Sequence, residues 1–169
     1  VSATVALSFS ATSTESVGYS ATPSWERQWL DLRTAFDVVA GYYSGVPLDN
    51  RDAARAVHDG CLAAWALAEH VPDAPDGISY RDSDSALKDA SDLINTWKHA
   101  GRKAKYTRGR IAYDHGHIDG TRSIELEFVD PGQGSRSRDA LELLGSSLGS
   151  WHAYLSAVGF KVDWPPTSP

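Results

Sequence analysis

Asn95, Lys98 and His99 close an apolar helical repeat with an amide, an ammonium and an imidazole, and a cationic run follows directly. Asp92, Asn95 and His99 are spaced at three and four, with Ser91, Asn95 and Lys98 on the adjacent stripe, so these groups share one side of a helix. An imidazole there is a candidate acid or base near neutral pH. Lys98 is a candidate to hold a phosphate that Asn95 orients. Their structural role would be to complement the helix dipole and cap its last carbonyls. Residues 98–110 contain six of the chain's sixteen Lys and Arg, one His, one Tyr and no Asp or Glu. In a protein of net charge −6, this strip points to an anionic partner. Its candidate contacts are Arg102, Lys103, Lys105, Arg108 and Arg110, with Tyr106 available to stack a base.

A second set lies upstream. Arg51 and His58 are seven residues apart, so in a helix they face the same way. Together they suit phosphodiester chemistry, the Arg stabilising the charged transition state and the His transferring a proton. His70 and Asp73 follow near the end of the same segment, and helix packing is expected to bring His70 toward one end of the Asn95 helix. Arg51, His58 and His99 are therefore the candidate catalytic residues, and His70, Asp73, Asn95 and Lys98 a candidate polar site.

Other patterns carry less chemistry. His115-Gly116-His117-Ile118-Asp119 has the start of a metal-hydrolase motif, but Gly120 stands where the final His belongs, and neither a metal nor another cofactor is expected. Gly145-Ser146-Ser147-Leu148-Gly149 fits G-x-S-x-G, yet it falls inside a helical stripe rather than at a strand-to-helix turn. Cys61 lies within an apolar helical face and is expected to be a core residue.

The elements that position these groups follow from apolar spacing. Trp25, Trp29, Leu32, Phe36, Val39 and Tyr43 predict a first helix opened by Ser24. A second begins near Asp49-Asn50, turns Val57, Cys61, Trp65 and Ala68 inward and stops at Val71-Pro72. After a PDAPDG loop, a third starts near Ser83 or Ser85, buries Leu87, Ala90, Ile94 and Trp97 and ends at Gly101. A fourth opens at Ser137 with the inward stripe Leu141, Leu144, Leu148, Trp151, Leu155 and Val158. Between the last two, Asp119-Gly120 predicts a type I′ hairpin over 110–129, pairing Ile118 with Thr121, His115 with Ile124, Tyr113 with Leu126 and Ile111 with Phe128. Val5, Leu7 and Phe9 alternate as a candidate third strand within an N-terminal region, 1–22, and residues 161–169 read as an extended tail. The expectation is one α+β domain over 1–169, mainly α, with a helical core at 23–160 shaped like a four-helix bundle and a small antiparallel sheet.

At 169 residues the chain is long enough to bury a core. Its one cysteine excludes a disulfide framework and favours a reducing, cytoplasmic setting, with a phage particle as the alternative. No apolar run approaches the roughly 20 residues of a membrane span.

The segments LAEHVPD, LKDASDLINTWKHA and WHAYL resemble a group of uncharacterised bacterial and phage helical proteins. Members carry an A-x-H-x-x-D-like step on one helix and an N-x-x-K-H step on the next. The resemblance spans roughly 25–160 and maps His70, Asp73, Asn95, Lys98 and His99 onto the group's polar positions, with Ser91 where an Arg is expected. More distantly, Arg51 to His58 is similar to the R-x(4–6)-H motif of the HEPN superfamily, helical bundles that are often RNA-cleaving. That resemblance implies metal-independent endoribonuclease activity in a toxin or phage-defence setting, and a homodimer that joins two motifs. The residues taken together favour a soluble module that binds RNA or a protein partner through 98–110, with the ribonuclease as the alternative.

Overall fold

A computed structural model describes residues 24–71, 77–99, 105–116 and 122–163. Among them are five helices and three strands in the order α1 (Trp25–Tyr43), α2 (Asn50–His70), α3 (Gly77–Ser83), α4 (Ser85–Lys98), β1 (Arg108–Gly116), β2 (Arg122–Asp130), β3 (Gly134–Asp139) and α5 (Ala140–Ala157). The fold is α+β, mainly helical, with one antiparallel sheet of order β1-β2-β3.

Each long helix starts at a side chain that accepts a backbone N–H left free in the first turn. Ser24 accepts from Arg27, Asp49 from Asp52, Asp84 from Ala86 and Leu87, and Asp139 from Glu142. The first two agree with the sequence. The last moves the start of the final helix from Ser137 to Ala140, because residues 134–139 form β3 instead. Helix α4 also stops early: His99 is its C-cap, two residues before Gly101, which lies outside the described residues. Helix α3 begins on Gly77, the last residue of the expected loop, and runs through residues to which the sequence assigned no element. The N-terminal strand region 1–22, the turn at Asp119-Gly120 and residues 164–169 lie outside the described residues.

The inward stripes of α1, α2, α4 and α5 meet the inner face of the sheet in one apolar cluster, in which Leu32, Leu67, Leu87, Phe128, Leu144 and Trp151 are fully buried. Gly60 lets three helices close up, since a Cβ there would lie 2.7 Å from Leu144 and 2.9 Å from Ala35. The Trp151 indole donates to the Ala64 carbonyl at 2.9 Å, so its one polar atom is satisfied at the centre of the core.

The hairpin register differs from the sequence expectation. Ile124, Leu126 and Phe128 do form the buried face of β2, with Glu125 and Glu127 on the other. On β1, however, His115 stands opposite Ser123, Tyr113 opposite Glu125 and Ile111 opposite Leu126, with an irregularity between Ile111 and Tyr113. The cause is tertiary. Gly109, not Ile111, faces Phe128, and a Cβ on it would lie 2.9 Å from both Leu93 and Phe128. Helix α4 thus approaches β1 where only glycine fits, and the Gly109 N–H donates to Thr96 Oγ1 at 3.0 Å. A bulge absorbs the resulting offset before the turn.

Strand β3 is held to α4 by charge. Arg136 and Arg138 stand opposite Phe128 and Leu126 and so share the sheet's inner face. The buried Asp89 carboxylate receives both Arg136 Nη atoms, at 2.9 and 2.6 Å, and Arg138 Nη1 at 2.9 Å. Arg136 Nε also reaches Asp130 Oδ2 at 2.8 Å, and Thr107 Oγ1 donates to Asp130 Oδ1 at 2.9 Å. The Arg136 guanidinium is held above its usual range chiefly by the Asp89 hydrogen bonds. Burial would raise the Asp130 carboxyl, but the hydrogen bonds from Thr107 and Arg136, with the Arg136 and Lys88 charges, hold it below the ordinary value.

Two substitutions test this arrangement. Gly109→Ala is expected to cost about 1–3 kcal/mol by overpacking. Asp89→Ala is expected to cost roughly 3 kcal/mol, at the lower end for a broken buried ion pair because Arg136 stays partly exposed. Urea unfolding of each variant checks both, and an unchanged midpoint refutes the corresponding contact.

Candidate functional site

The predicted residues separate into three places. Arg51 and His58 line one cleft of ≈ 780 Å³ with Asp49, Asp52, Ala54 and Arg55 of α2, Trp97 of α4 and Ile111 of β1. Arg51, Arg55 and His58 fall at i, i+4 and i+7, one stripe of α2. The His58 ring lies on Trp97, with centroids 4.5 Å apart and planes inclined by 36°. Its Nδ1 is 3.1 Å from Asp59 Oδ1. With that carboxylate accepting from Nδ1–H, Nε2 is the nitrogen left to accept a proton.

Helix α2 keeps the histidines apart. His58 and His70 are separated by twelve residues, about 18 Å along the axis. Trp97 stacks on His58, so His99, two residues further on, belongs to the His58 end of the α2–α4 pair. His70 closes α2 at the other end, beside α3. Asp73 lies outside the described residues.

Asn95, Lys98 and His99 each make a separate contact. Asn95 Nδ2 donates to Ser91 Oγ at 3.3 Å. Lys98 Nζ sits 3.4 Å from the Trp65 ring centroid, which the Arg81 guanidinium approaches at 5.9 Å. His99 caps the helix through its backbone N–H to the Asn95 carbonyl at 3.1 Å, with its side chain exposed. The Trp65 face gives Lys98 a structural contact, and the residue is exposed.

The basic strip divides in the same way. Arg102 and Lys103 lie outside the described residues. Lys105, Tyr106 and Arg108 are exposed, and Lys105 Nζ is 5.0 Å from the Tyr106 ring. Arg110 is also exposed, but its Nε donates to Glu127 at 2.7 Å. Among the described residues, no acidic side chain pairs with Lys105 or Arg108.

Sequence reasoning missed Arg55, Asp59 and the role of Trp97. The i, i+4, i+7 spacing was enough to add Arg55 to the Arg51–His58 stripe. Trp97 was assigned to the core, and no local signal reveals that its ring also forms a cleft wall, because the contact arises only when α4 packs on α2.

Searches against protein-family models, curated proteins and solved structures find no match to this chain. Among the described residues no helix is long and apolar enough to cross a membrane.

Cys61 is fully buried in the centre of α2, and burial, with the nearby Asp89 charge, pushes its thiol up to about 12. The thiolate is the reactive form. Native protein is therefore expected to resist iodoacetamide at pH 8 and to be alkylated once unfolded in urea. Rapid labelling of the native state, followed by mass spectrometry, counts against the buried assignment.

Proposed function

We propose that the protein is a nucleic-acid-binding module whose contact surface begins at the basic strip 98–110. The observation that carries this reading is the division among the cations. Arg136 and Arg138 bond to Asp89, Arg110 bonds to Glu127 and Lys98 sits over Trp65, whereas Lys105 and Arg108 are exposed with no acidic partner among the described residues, and Lys105 lies 5.0 Å from the Tyr106 ring. Exposed cations and an exposed aromatic ring suit a phosphate backbone with accessible bases.

A second reading is favoured by the cleft. Arg51, Arg55 and His58 line one concavity, and the Asp59 carboxylate leaves His58 Nε2 as the proton acceptor. Such a set suits metal-independent RNA cleavage: His58 takes the 2′-hydroxyl proton, the 2′-oxygen attacks the adjacent phosphorus, and an arginine stabilises the charge that builds up. The leaving 5′-oxygen takes a proton from water. A HEPN-like enzyme would act as a homodimer.

Fluorescence anisotropy with a labelled RNA separates binding from its absence. Lys105→Ala plus Arg108→Ala is expected to weaken binding about tenfold at low salt and to flatten its salt dependence. No salt-sensitive affinity in the wild type refutes the module. Incubating total RNA with chelator then tests cleavage, comparing wild type with His58→Ala and His99→Ala. Loss of cutting in His58→Ala alone supports the ribonuclease, and an inert wild type at high concentration removes it.

A further inference from the structure

The cleft of α2 and the arginines of the basic strip lie on opposite faces of β1. Arg108 and Arg110 stand opposite Val129 and Glu127 on the outer face, whereas Gly109 and Ile111 stand opposite the buried Phe128 and Leu126 on the face turned to the helices. Ile111 is a wall of the cleft lined by Arg51, Arg55 and His58, so the cleft belongs to the helix side of the sheet. Whatever occupies it is held by the residues of the cleft alone.

Its cations are uncommitted, whereas two of the nearby acids have partners. Asp49 Oδ1 accepts the Asp52 N–H at 2.8 Å as the cap of α2, and Asp59 Oδ1 lies 3.1 Å from His58 Nδ1. Among the described residues no acidic side chain pairs with Arg51 or Arg55, and both are exposed. From the helical repeat, Arg51, Ala54, Arg55 and His58 fall within an arc of about 100° of α2, with the two arginines about 6 Å apart along the axis, while Asp52 is turned about 100° from Arg51. Two guanidinium forks on one stripe can close on the oxygens of a single oxyanion. A terminal phosphate, with roughly 1.5 to 2 negative charges at neutral pH, matches two guanidinium charges, where an internal phosphodiester brings only one.

Beyond the charged stripe, the walls are rings and apolar groups. The His58 ring lies on Trp97 at 4.5 Å, and Ala54 and Ile111 line the same concavity. Its volume of ≈ 780 Å³ falls within the roughly 300–1,000 Å³ of small-molecule sites. A bare phosphate leaves these walls uncovered, whereas a planar base covers them. We infer that the cleft is a site for a nucleoside monophosphate, free or at the end of a strand, with its phosphate on Arg51 and Arg55 and its base against the His58 and Trp97 rings and Ile111. This goes beyond the strip-binding module, and it gives the cleft a ligand whether or not the cleft cleaves RNA.

Calorimetric titration of the full chain uses 5′-AMP, adenosine, inorganic phosphate and adenylyl-adenosine, which has a diester and no terminal phosphate. 5′-AMP is expected to bind about tenfold more tightly than each of the other three. Arg51→Ala plus Arg55→Ala is expected to weaken 5′-AMP about tenfold and to bring it level with adenosine. Both side chains are exposed, so thermal unfolding of this variant is expected to match wild type. An eight-nucleotide RNA with a 5′-phosphate distinguishes the sources: a gain in affinity over its unphosphorylated form, absent in the variant, makes the ligand a strand end, and no gain makes it a free nucleotide. No binding of 5′-AMP by the wild type at millimolar concentration, or wild-type affinity in the double variant, overturns the site. Adenosine or adenylyl-adenosine binding as tightly as 5′-AMP refutes the terminal phosphate, and inorganic phosphate doing so refutes the base. If 5′-AMP binds as expected while the unphosphorylated octamer shows no salt-sensitive affinity, the cleft ligand stands and the strip-binding module alone is refuted.

Discussion

With two guanidinium groups closing on it, the Asp89 carboxylate joins α4 to the far edge strand of the sheet, and the placement of the other elements follows from that junction. Arg136 reaches Asp89 from above the Phe128 ring, 4.6 Å from its centroid, and extends to Asp130 at the β2–β3 turn. Asp130 in turn holds Thr107, the residue before β1. One chain of contacts thus runs from the buried face of α4 to both edges of the sheet. A buried ion pair adds little net stability over an apolar substitute, but it is intolerant of a missing partner. What it does here is tether β3 to α4 through Asp89.

That seating builds two walls of the α2 cleft. Because β1 is pressed against α4 at Gly109, Ile111 is carried to the mouth of the cleft. Because α4 packs on α2, Trp97 meets His58 there. The charges that hold the sheet and those available to a ligand are different sets, which lets the surface cations vary without loosening the fold.

The four longer helices were legible because their cores are apolar and regularly spaced, and Ser24 and Asp49 mark real starts. Helix α3 was not, since GISYRDS is seven residues long and has no apolar stripe. Strand β3 was hidden for a related reason: in GSRSRD the inward positions are Arg136 and Arg138, so the alternation that marks a strand has arginine where a hydrophobe is expected. Only the position of Asp89 gives those arginines a partner on the inner face. The hairpin register was missed because a two-residue turn was assumed, whereas the close approach of α4 at Gly109 sets it. At the candidate site, Arg51 and His58 were legible as a helical stripe. The contact of Lys98 with Trp65 was not, because Trp65 comes from another helix.

Helix α5 completes several earlier elements at once. Leu144 fills the space above Gly60, Trp151 donates to Ala64, Ser150 receives Tyr80 on its carbonyl and donates its hydroxyl to Asp84, and Asp139 accepts from Tyr43. These partners stand 66 to 96 residues away along the chain. During synthesis, α1 to α4 must therefore wait, with Leu32, Leu67 and Leu87 short of their final cover, until residues 140–157 have left the ribosome. The last helix sets the moment at which the core closes, and a nascent chain stalled before it would present an apolar surface to chaperones.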